Sequence, residues 1–360
     1  MSTEPTQRRP HAVVTDDSHF MRSVIADILE EGGVEVVARA GDGGEAVEAV
    51  AEHDPDVVTM DVEMPGMDGI EAVERIMEAH PTPVLMLSAH TDDGASVTFE
   101  ALQKGAVDFF TKPGGEVSME MSRLKDQLVE MVRSVAGADV TGSTSTAAGA
   151  GGSEVAAPAA PAAAGYVDDP TLVVGASTGG PAVVERLLGA LPRSADLRVL
   201  VVQHMPEAFT GRFAERLDDR CEYDIREATD GGRIGGGQGL VADGGMHMEI
   251  SNYRRGRLRV RLTEDEPVNS VRPSVDVTMR SAAEVVDDPL VGVVLTGMGF
   301  DGAAGIRAIK EAGGHTFAQD ESTSAVYGMP RRAAETGCVD RVLPLEQLPD
   351  AVLDCIAEAT

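Results

Sequence analysis

Ser177 stands in Gly175-Ala176-Ser177-Thr178-Gly179-Gly180, between the apolar run Leu172-Val173-Val174 and Pro181, a favoured first helical residue. A strand, a tight glycine turn and a helix start are the setting in which G-x-S-x-G exposes a serine nucleophile. Such a serine needs a base and a group to orient it. His204 follows the apolar run Leu197–Val202 and so reaches the same sheet edge, which makes it the first candidate for the base. His247, in the glycine-rich Asp243-Gly244-Gly245-Met246-His247, is the alternative. For the acid, Val291–Leu295 runs into Thr296-Gly297-Met298-Gly299-Phe300-Asp301-Gly302, whose glycines turn the backbone and bare N–H groups beside a helix start. Asp301 is the best orienter there, although it could also cap the helix that follows. Asp276, in Arg272-Pro273-Ser274-Val275-Asp276, is the rival and reads more naturally as a first-turn helix residue. The order Ser…His…Asp differs from the Ser…Asp…His of α/β-hydrolases, so the elbow alone does not give the fold.

A second chemistry is carried on aspartates. Asp16-Asp17 ends one apolar run and Asp61 another, and in a parallel sheet both ends open on one edge. Three converging carboxylates make a hard-oxygen site suited to Mg²⁺. Such an ion neutralises an incoming phosphoryl group, for which an Asp carboxylate can be the nucleophile. Ser88 and Lys112-Pro113 close two further strands at the same edge.

The elements that must position these groups are legible as apolar periodicity. Ala12–Val14, Val34–Val37, Val57–Met60, Val84–Leu87 and Phe109–Phe110 read as buried strands, and Met21, Val24, Ile25, Ile28 and Leu29 as one helix face. Ser118–Val135 reads as a closing helix. Leu172–Val174, Leu197–Val202, Leu240–Ala242, Val291–Leu295 and Thr316–Ala318 repeat the logic. Between them come helices over Ala182–Leu188, Phe209–Leu217, Val275–Val286 and Ala303–Glu311. Met248–Ser251 and Leu258–Leu262 flank Arg-Gly turn residues and read as an inserted antiparallel hairpin. From Ala138 to Gly165 the chain is almost wholly Ala, Gly, Ser, Thr and Pro, a flexible linker by composition. The expected fold class is α/β, with two doubly wound parallel-sheet domains: 10–135, flavodoxin-like, and 169–360, Rossmann-like with the hairpin inserted, joined by a linker over 136–168.

Composition narrows the partners. The 360 residues carry a net charge of −30, and of 30 basic side chains only Lys104, Lys112, Lys125 and Lys310 are lysines. A broad acidic surface disfavours nucleic acid and anionic membranes. Acidic excess with few lysines suits the cytoplasm of a salt-loving organism, where the Debye length falls to about 3 Å at 1 M. Cys221, Cys338 and Cys355 are widely spaced and argue against a disulfide framework or a zinc site. Met-Ser-Thr-Glu-Pro holds no apolar signal region, and no uninterrupted apolar stretch is long enough to span a membrane.

Residues 10–135 resemble a two-component receiver domain, with Asp61-Val62-Glu63-Met64-Pro65-Gly66-Met67-Asp68-Gly69 similar to its phosphoacceptor loop. The resemblance implies phosphorylation at Asp61 and a Mg²⁺ site of Asp16, Asp17 and Asp61 completed by the Glu63 carbonyl. It also implies switch roles for Ser88, Phe109 and Lys112. Residues 170–345 resemble the chemotaxis receptor protein-glutamate methylesterases. The resemblance rests on the serine elbow, Gln203-His204-Met205, Arg272–Asp276, Thr296–Gly302, Gln319-Asp320-Glu321 and Gly328-Met329-Pro330-Arg331. It implies Ser177 as nucleophile, His204 as base and then acid, Asp301 as orienter, and the amides of Thr178 and Met298 as the oxyanion hole. No cofactor is implied in the catalytic domain. The implied activity is demethylation of methyl-accepting chemotaxis receptors, with glutamine deamidation on the same receptors. The implied phosphodonor is a chemotaxis histidine kinase; with the acidic, lysine-poor composition the expected setting is the cytoplasm of a halophilic archaeon, and a monomer is expected. The expected control is steric: the unphosphorylated receiver covers the catalytic cleft and phosphorylation weakens that packing.

Two other classes compete: a response regulator whose output domain only binds a protein, and a general esterase. A dinucleotide-binding reading lacks the G-x-G-x-x-G spacing. Arg254, Arg255, Arg257, Arg259 and Arg261 put five arginines in eight residues of the hairpin. That run reads either as a solvated, edge-protecting hairpin or as a docking patch for acidic receptor helices, with nucleic acid a weaker third reading.

Overall fold

The computed structural model describes residues 8–88, 92–112, 120–138, 140 and 165–358. The chain divides into two compact units, Met1–Ala150 and Gly151–Thr360. The linker expected over 136–168 lies for the most part outside the described residues.

The first unit alternates strand and helix: β1 (His11–Thr15), α1 (His19–Glu31), β2 (Glu35–Ala40), α2 (Gly43–His53), β3 (Val57–Asp61), α3 (Gly69–Ala79), β4 (Val84–Ser88), α4 (Asp92–Gln103), β5 (Asp108–Thr111) and α5 (Glu120–Val135). The strands form one parallel sheet in the order β2-β1-β3-β4-β5, the flavodoxin-like arrangement. Every residue of β3 and β4 is buried, as continuous apolar strands are when helices cover both faces of a parallel sheet. Ser18, Asp42 and Asp68 cap α1, α2 and α3 by accepting from Met21, Glu45 and Glu71 N–H. The caps are therefore supplied by other residues than Asp16, Asp17 and Asp61.

The second unit holds β6 (Thr171–Ala176), α6 (Gly180–Gly189), β7 (Arg198–Gln203), α7 (Glu207–Arg220), β8 (Asp224–Glu227), β9 (Arg233–Ile234), β10 (Gln238–Val241), β11 (His247–Arg254), β12 (Arg257–Thr263), α8 (Val275–Val285), β13 (Leu290–Val294), α9 (Ala303–Glu311), β14 (His315–Gln319), α10 (Met329–Glu335), β15 (Arg341–Leu343) and α11 (Leu348–Ile356). Seven strands pair in parallel in the order β15-β14-β13-β6-β7-β10-β8. The outer strands β8 and β15 escaped the apolar pattern. Asp-Ile-Arg-Glu and Arg-Val-Leu are short and carry charged residues, and only pairing with β10 and β14 makes them strands.

The expected hairpin is β11 paired antiparallel with β12, and β9 extends it to a three-stranded sheet in the order β11-β12-β9. Its inner face, with Met248, Ile250, Leu258 and Val260, shares one apolar core with Val275, Met279 and Ala282 of α8. Among the described residues no helix is long and apolar enough to cross a membrane.

Candidate active site and phosphoacceptor site

The strand order reverses direction between β6 and β13, and crevices in doubly wound sheets open at that point, beyond the carboxyl ends of the strands. Ser177 follows β6, His204 follows the adjacent β7, and the Thr296–Asp301 loop follows β13 on the other side. The three segments are sewn together by main-chain contacts. Ser177 N–H donates to the Thr296 carbonyl at 3.0 Å, and His204 N–H to the Ala176 carbonyl at 3.0 Å. The Thr296 hydroxyl donates to the Thr178 carbonyl at 2.9 Å, and Gln203 Nε2 to the Ser177 carbonyl at 2.8 Å.

Two glycines are explained by these approaches. A Cβ at Gly297 would lie 2.6 Å from Ser177 Cβ and 3.0 Å from its nitrogen. At Gly180 a Cβ would collide with the Gln203 amide that reaches behind the serine. The glycines of the elbow and of the Thr296–Gly302 turn thus let two loops touch, besides making turns.

His204 Nε2 lies 2.9 Å from Asp301 Oδ2, which leaves Nδ1 as the ring nitrogen open to another partner. The Ser177 hydroxyl makes no hydrogen bond among the described residues, to His204 or to any other group; a nucleophile–base contact often forms only when substrate binds. Asp301 is 3% exposed. Its Oδ1 accepts from Ser274 Oγ at 2.7 Å, Asn269 Nδ2 at 2.8 Å and Asp276 N–H at 3.2 Å, while Oδ2 also accepts from Val275 N–H at 2.6 Å. Burial pushes this carboxyl up. The His204 hydrogen bond and charge, with Ser274 and Asn269, outweigh burial and leave it below the ordinary carboxylate range. A carboxylate held ionised against an imidazole can fix its tautomer and stabilise its charged form.

Asp301 does not cap the helix that follows it; that position is Gly302, which makes no side-chain cap. The rival Asp276 is also buried, but its Oδ1 accepts from Gly305 N–H at 2.6 Å and its Oδ2 from Asn269 Nδ2 at 2.9 Å. His247 is 1% exposed and bonded to the Glu266 carbonyl at 3.2 Å, at the root of β11. The amides of Thr178 and Met298 donate no hydrogen bond among the described residues, as oxyanion donors require. Asn269 was missed from sequence. Its left-handed backbone, φ 56°, suits asparagine, but nothing local announces a side chain that bridges two distant carboxylates.

In the first unit, oxygens of Asp16, Asp17 and Asp61 lie within 4.8 Å of one another. This all-carboxylate donor set fits Mg²⁺. Lys112 Nζ sits 2.7 Å from Asp16 Oδ2 and 2.7 Å from Asp61 Oδ1. Burial pushes the Asp61 carboxyl up, and Asp16 adds to this, against the lowering contacts from Lys112 and the Val62 amide. The Glu63 carbonyl accepts no hydrogen bond among the described residues and keeps its lone pairs available. Ser88 is fully buried and receives the Thr98 hydroxyl at 2.8 Å. Phe109 is buried, with its ring edge-on to Phe99 at 6.2 Å.

The class these folds define is a catalytic α/β domain governed by a receiver. Residues 172–352 match the CheB methylesterase family and residues 12–122 the response regulator receiver domain. The chain belongs to the CheB methylesterase family. It is 67% identical over 359 residues to a protein of Haloarcula marismortui, covering 96% of this chain and 97% of that one. It is 58% identical over 349 residues to one of Halobacterium salinarum, covering 97% and 99%. Both relatives are named protein-glutamate methylesterase/protein-glutamine glutaminase. The crystal structure of the Thermotoga maritima CheB methylesterase catalytic domain superposes with a TM-score of 0.50 at 37% identity, covering 52% of this chain and 99% of that domain.

Proposed function

We propose that this protein hydrolyses γ-methyl esters of glutamates in methyl-accepting chemotaxis receptors, and deamidates glutamines there, under control of phosphorylation at Asp61. The observation that carries the catalytic reading is the 2.9 Å contact of His204 with buried Asp301, on the sheet edge that holds Ser177. His204 Nδ1 takes the Ser177 proton as Oγ attacks the ester carbonyl. The oxyanion forms against the amides of Thr178 and Met298, each donor contributing roughly 3–4 kcal/mol. Collapse expels methanol, protonated by His204. His204 then removes a proton from water, which attacks the acyl-enzyme, and Ser177 leaves with the proton, giving a glutamate carboxylate. With glutamine the leaving group is ammonia and the steps are otherwise the same.

In the receiver, Asp61 accepts a phosphoryl group from a chemotaxis histidine kinase. Asp16, Asp17 and Asp61 with the Glu63 carbonyl would hold Mg²⁺, which when bound offsets the charge of the phosphoryl oxygens. Lys112 pairs with the phosphoryl group and the Ser88 hydroxyl bonds it, a change relayed to Phe109. The catalytic domain uses no cofactor, and the protein works as a cytoplasmic monomer. Methanol release from methylated receptors, with and without a small phosphodonor and Mg²⁺, tests both halves. Ser177→Ala abolishes release, and Asp61→Asn leaves only the unstimulated rate. Retention of most activity by Ser177→Ala would falsify the nucleophile assignment.

A further inference from the structure

The three-stranded sheet carries an arginine face that neither fold nor catalysis accounts for. Arg257, Arg259 and Arg261 alternate along β12 with buried Leu258 and Val260, so all three guanidinium groups stand on the outer face. Register places Arg254 directly across from Arg257, and Arg233 directly across from Arg259. Like charges directly opposite on a sheet repel. Arg261 shows the ordinary remedy, an ion pair with Glu249 across the strand. Arg233, Arg254, Arg255, Arg257 and Arg259 have no ion pair among the described residues, in a chain of 60 acidic side chains against 30 basic ones. Edge protection does not explain Arg257 and Arg259, because β12 is the central strand, flanked by β11 with Arg254 and β9 with Arg233. The face cannot turn away, since Leu258 and Val260 anchor it to the core and the Tyr253 ring stacks on the guanidinium of buried Arg198 at 4.8 Å.

We propose that this arginine face docks an acidic, glutamate-bearing helical segment of the polypeptide substrate while Ser177 works on its ester. The inference rests on the hydrolase reading, under which each turnover leaves a new glutamate among its neighbours. Outward positions on a strand recur about every 6.7 Å. Carboxylates four residues apart on a helix recur about every 6 Å. A helix laid along β12 therefore meets successive arginines with successive glutamates. Guanidinium groups pair with carboxylates in a planar, two-point contact that lysine does not reproduce. β11 and β12 begin and end at His247 and Thr263, near in sequence to the Asn269–Asp276 segment that holds Asp301. The hairpin tip lies by Asp169 and Arg198 at the amino ends of β6 and β7, so a bound helix would have to span the sheet from its amino edge to reach Ser177.

The test uses the full chain. In a Ser177→Ala background, fluorescence anisotropy follows a labelled helical peptide with glutamates at i, i+4 spacing. The expected result is binding that weakens about tenfold or more in Arg254→Glu/Arg257→Glu/Arg259→Glu, with circular dichroism checking that the variant is folded. An Arg→Gln version of the same triple variant, free of introduced repulsion, should fall between the two. With Ser177 present, the triple variant should raise KM for a methylated polypeptide and leave kcat unchanged. Equal peptide affinity in all three proteins, an unchanged KM, or stronger binding of a DNA oligonucleotide than of the peptide overturns the docking proposal. Peptide binding without methanol release from the wild-type chain would instead sink the hydrolase reading and leave the docking face standing.

Discussion

Asp301 and Asp276 exchange helix starts. Asp301, which precedes α9, accepts the Val275 and Asp276 amides that open α8; Asp276, within α8, accepts the Gly305 amide that opens α9. Asn269 Nδ2 donates to both carboxylates, at 2.8 and 2.9 Å. The carboxylate proposed to orient His204 is therefore held by five donors, including the histidine, and has no freedom to swing. Asn269→Ala removes a shared donor from two buried acids. The expected cost is about 1.5–3 kcal/mol in denaturant unfolding, since hydrogen bonds to charged groups are the stronger kind. A fall in kcat of at least tenfold with little change in KM should accompany it, read as methanol release.

Gly297→Ala tests the contact between the Ser177 and Thr296–Asp301 loops. Its methyl group would stand 2.6 Å from Ser177 Cβ, and the loops must part to admit it. Displacing a nucleophile by about 1 Å costs on the order of 10²-fold in rate. The expected phenotype is a folded protein whose kcat falls by about that factor. A variant with wild-type kcat would show that the loops have slack.

Stability should respond to pH through two acids of opposite sign. The Asp301 carboxyl is held below its ordinary value, so its contribution is present above that value and is lost as pH falls through the folded one. The Asp243 carboxyl is pushed up to about 6, first by burial and then by Glu227 and Glu207. Its contribution is present below the ordinary value and is lost as pH rises through about 6. Asp243→Asn should therefore raise Tm near pH 8 and change it little near pH 4, and Asp301→Asn should blunt the acid-side fall. Calorimetric scans across pH check both signs.

Lys112→Ala leaves Asp16 and Asp61 facing each other without the ammonium that now lies 2.7 Å from each. Removing one partner of a buried ionic cluster costs on the order of 3 kcal/mol. The receiver transition should melt earlier, and Mg²⁺ should recover more stability in this variant than in the wild type. Equal Mg²⁺ responses in the two proteins would remove Asp16 and Asp61 from the metal site.

Much of this architecture was legible because a parallel sheet turns chain order into geometry. Each apolar run followed by a polar residue marks a strand end, and all such ends share one edge. Asp16, Asp61, Ser88 and Lys112 could thus be grouped on one sheet, and Ser177 and His204 on the other, without coordinates, as could the hairpin from its period-two alternation. Strands β8 and β15 could not, because they become strands only by pairing with a neighbour.

Position along the chain made Asp301 the better candidate to orient His204 and Asp276 its rival, since each is an acid beside a helix start. The sequence favoured Asp301, and in the folded chain it is Asp301 that lies against His204, while each carboxylate also accepts from the other's helix. The bridge made by Asn269, the choice of Nε2 for Asp301, and the facing arginines of β12 and its neighbours likewise depend on register and helix packing between segments far apart in the chain. Local sequence encodes which way a strand runs and which face it buries. Which side chains then meet is decided by how those elements pack.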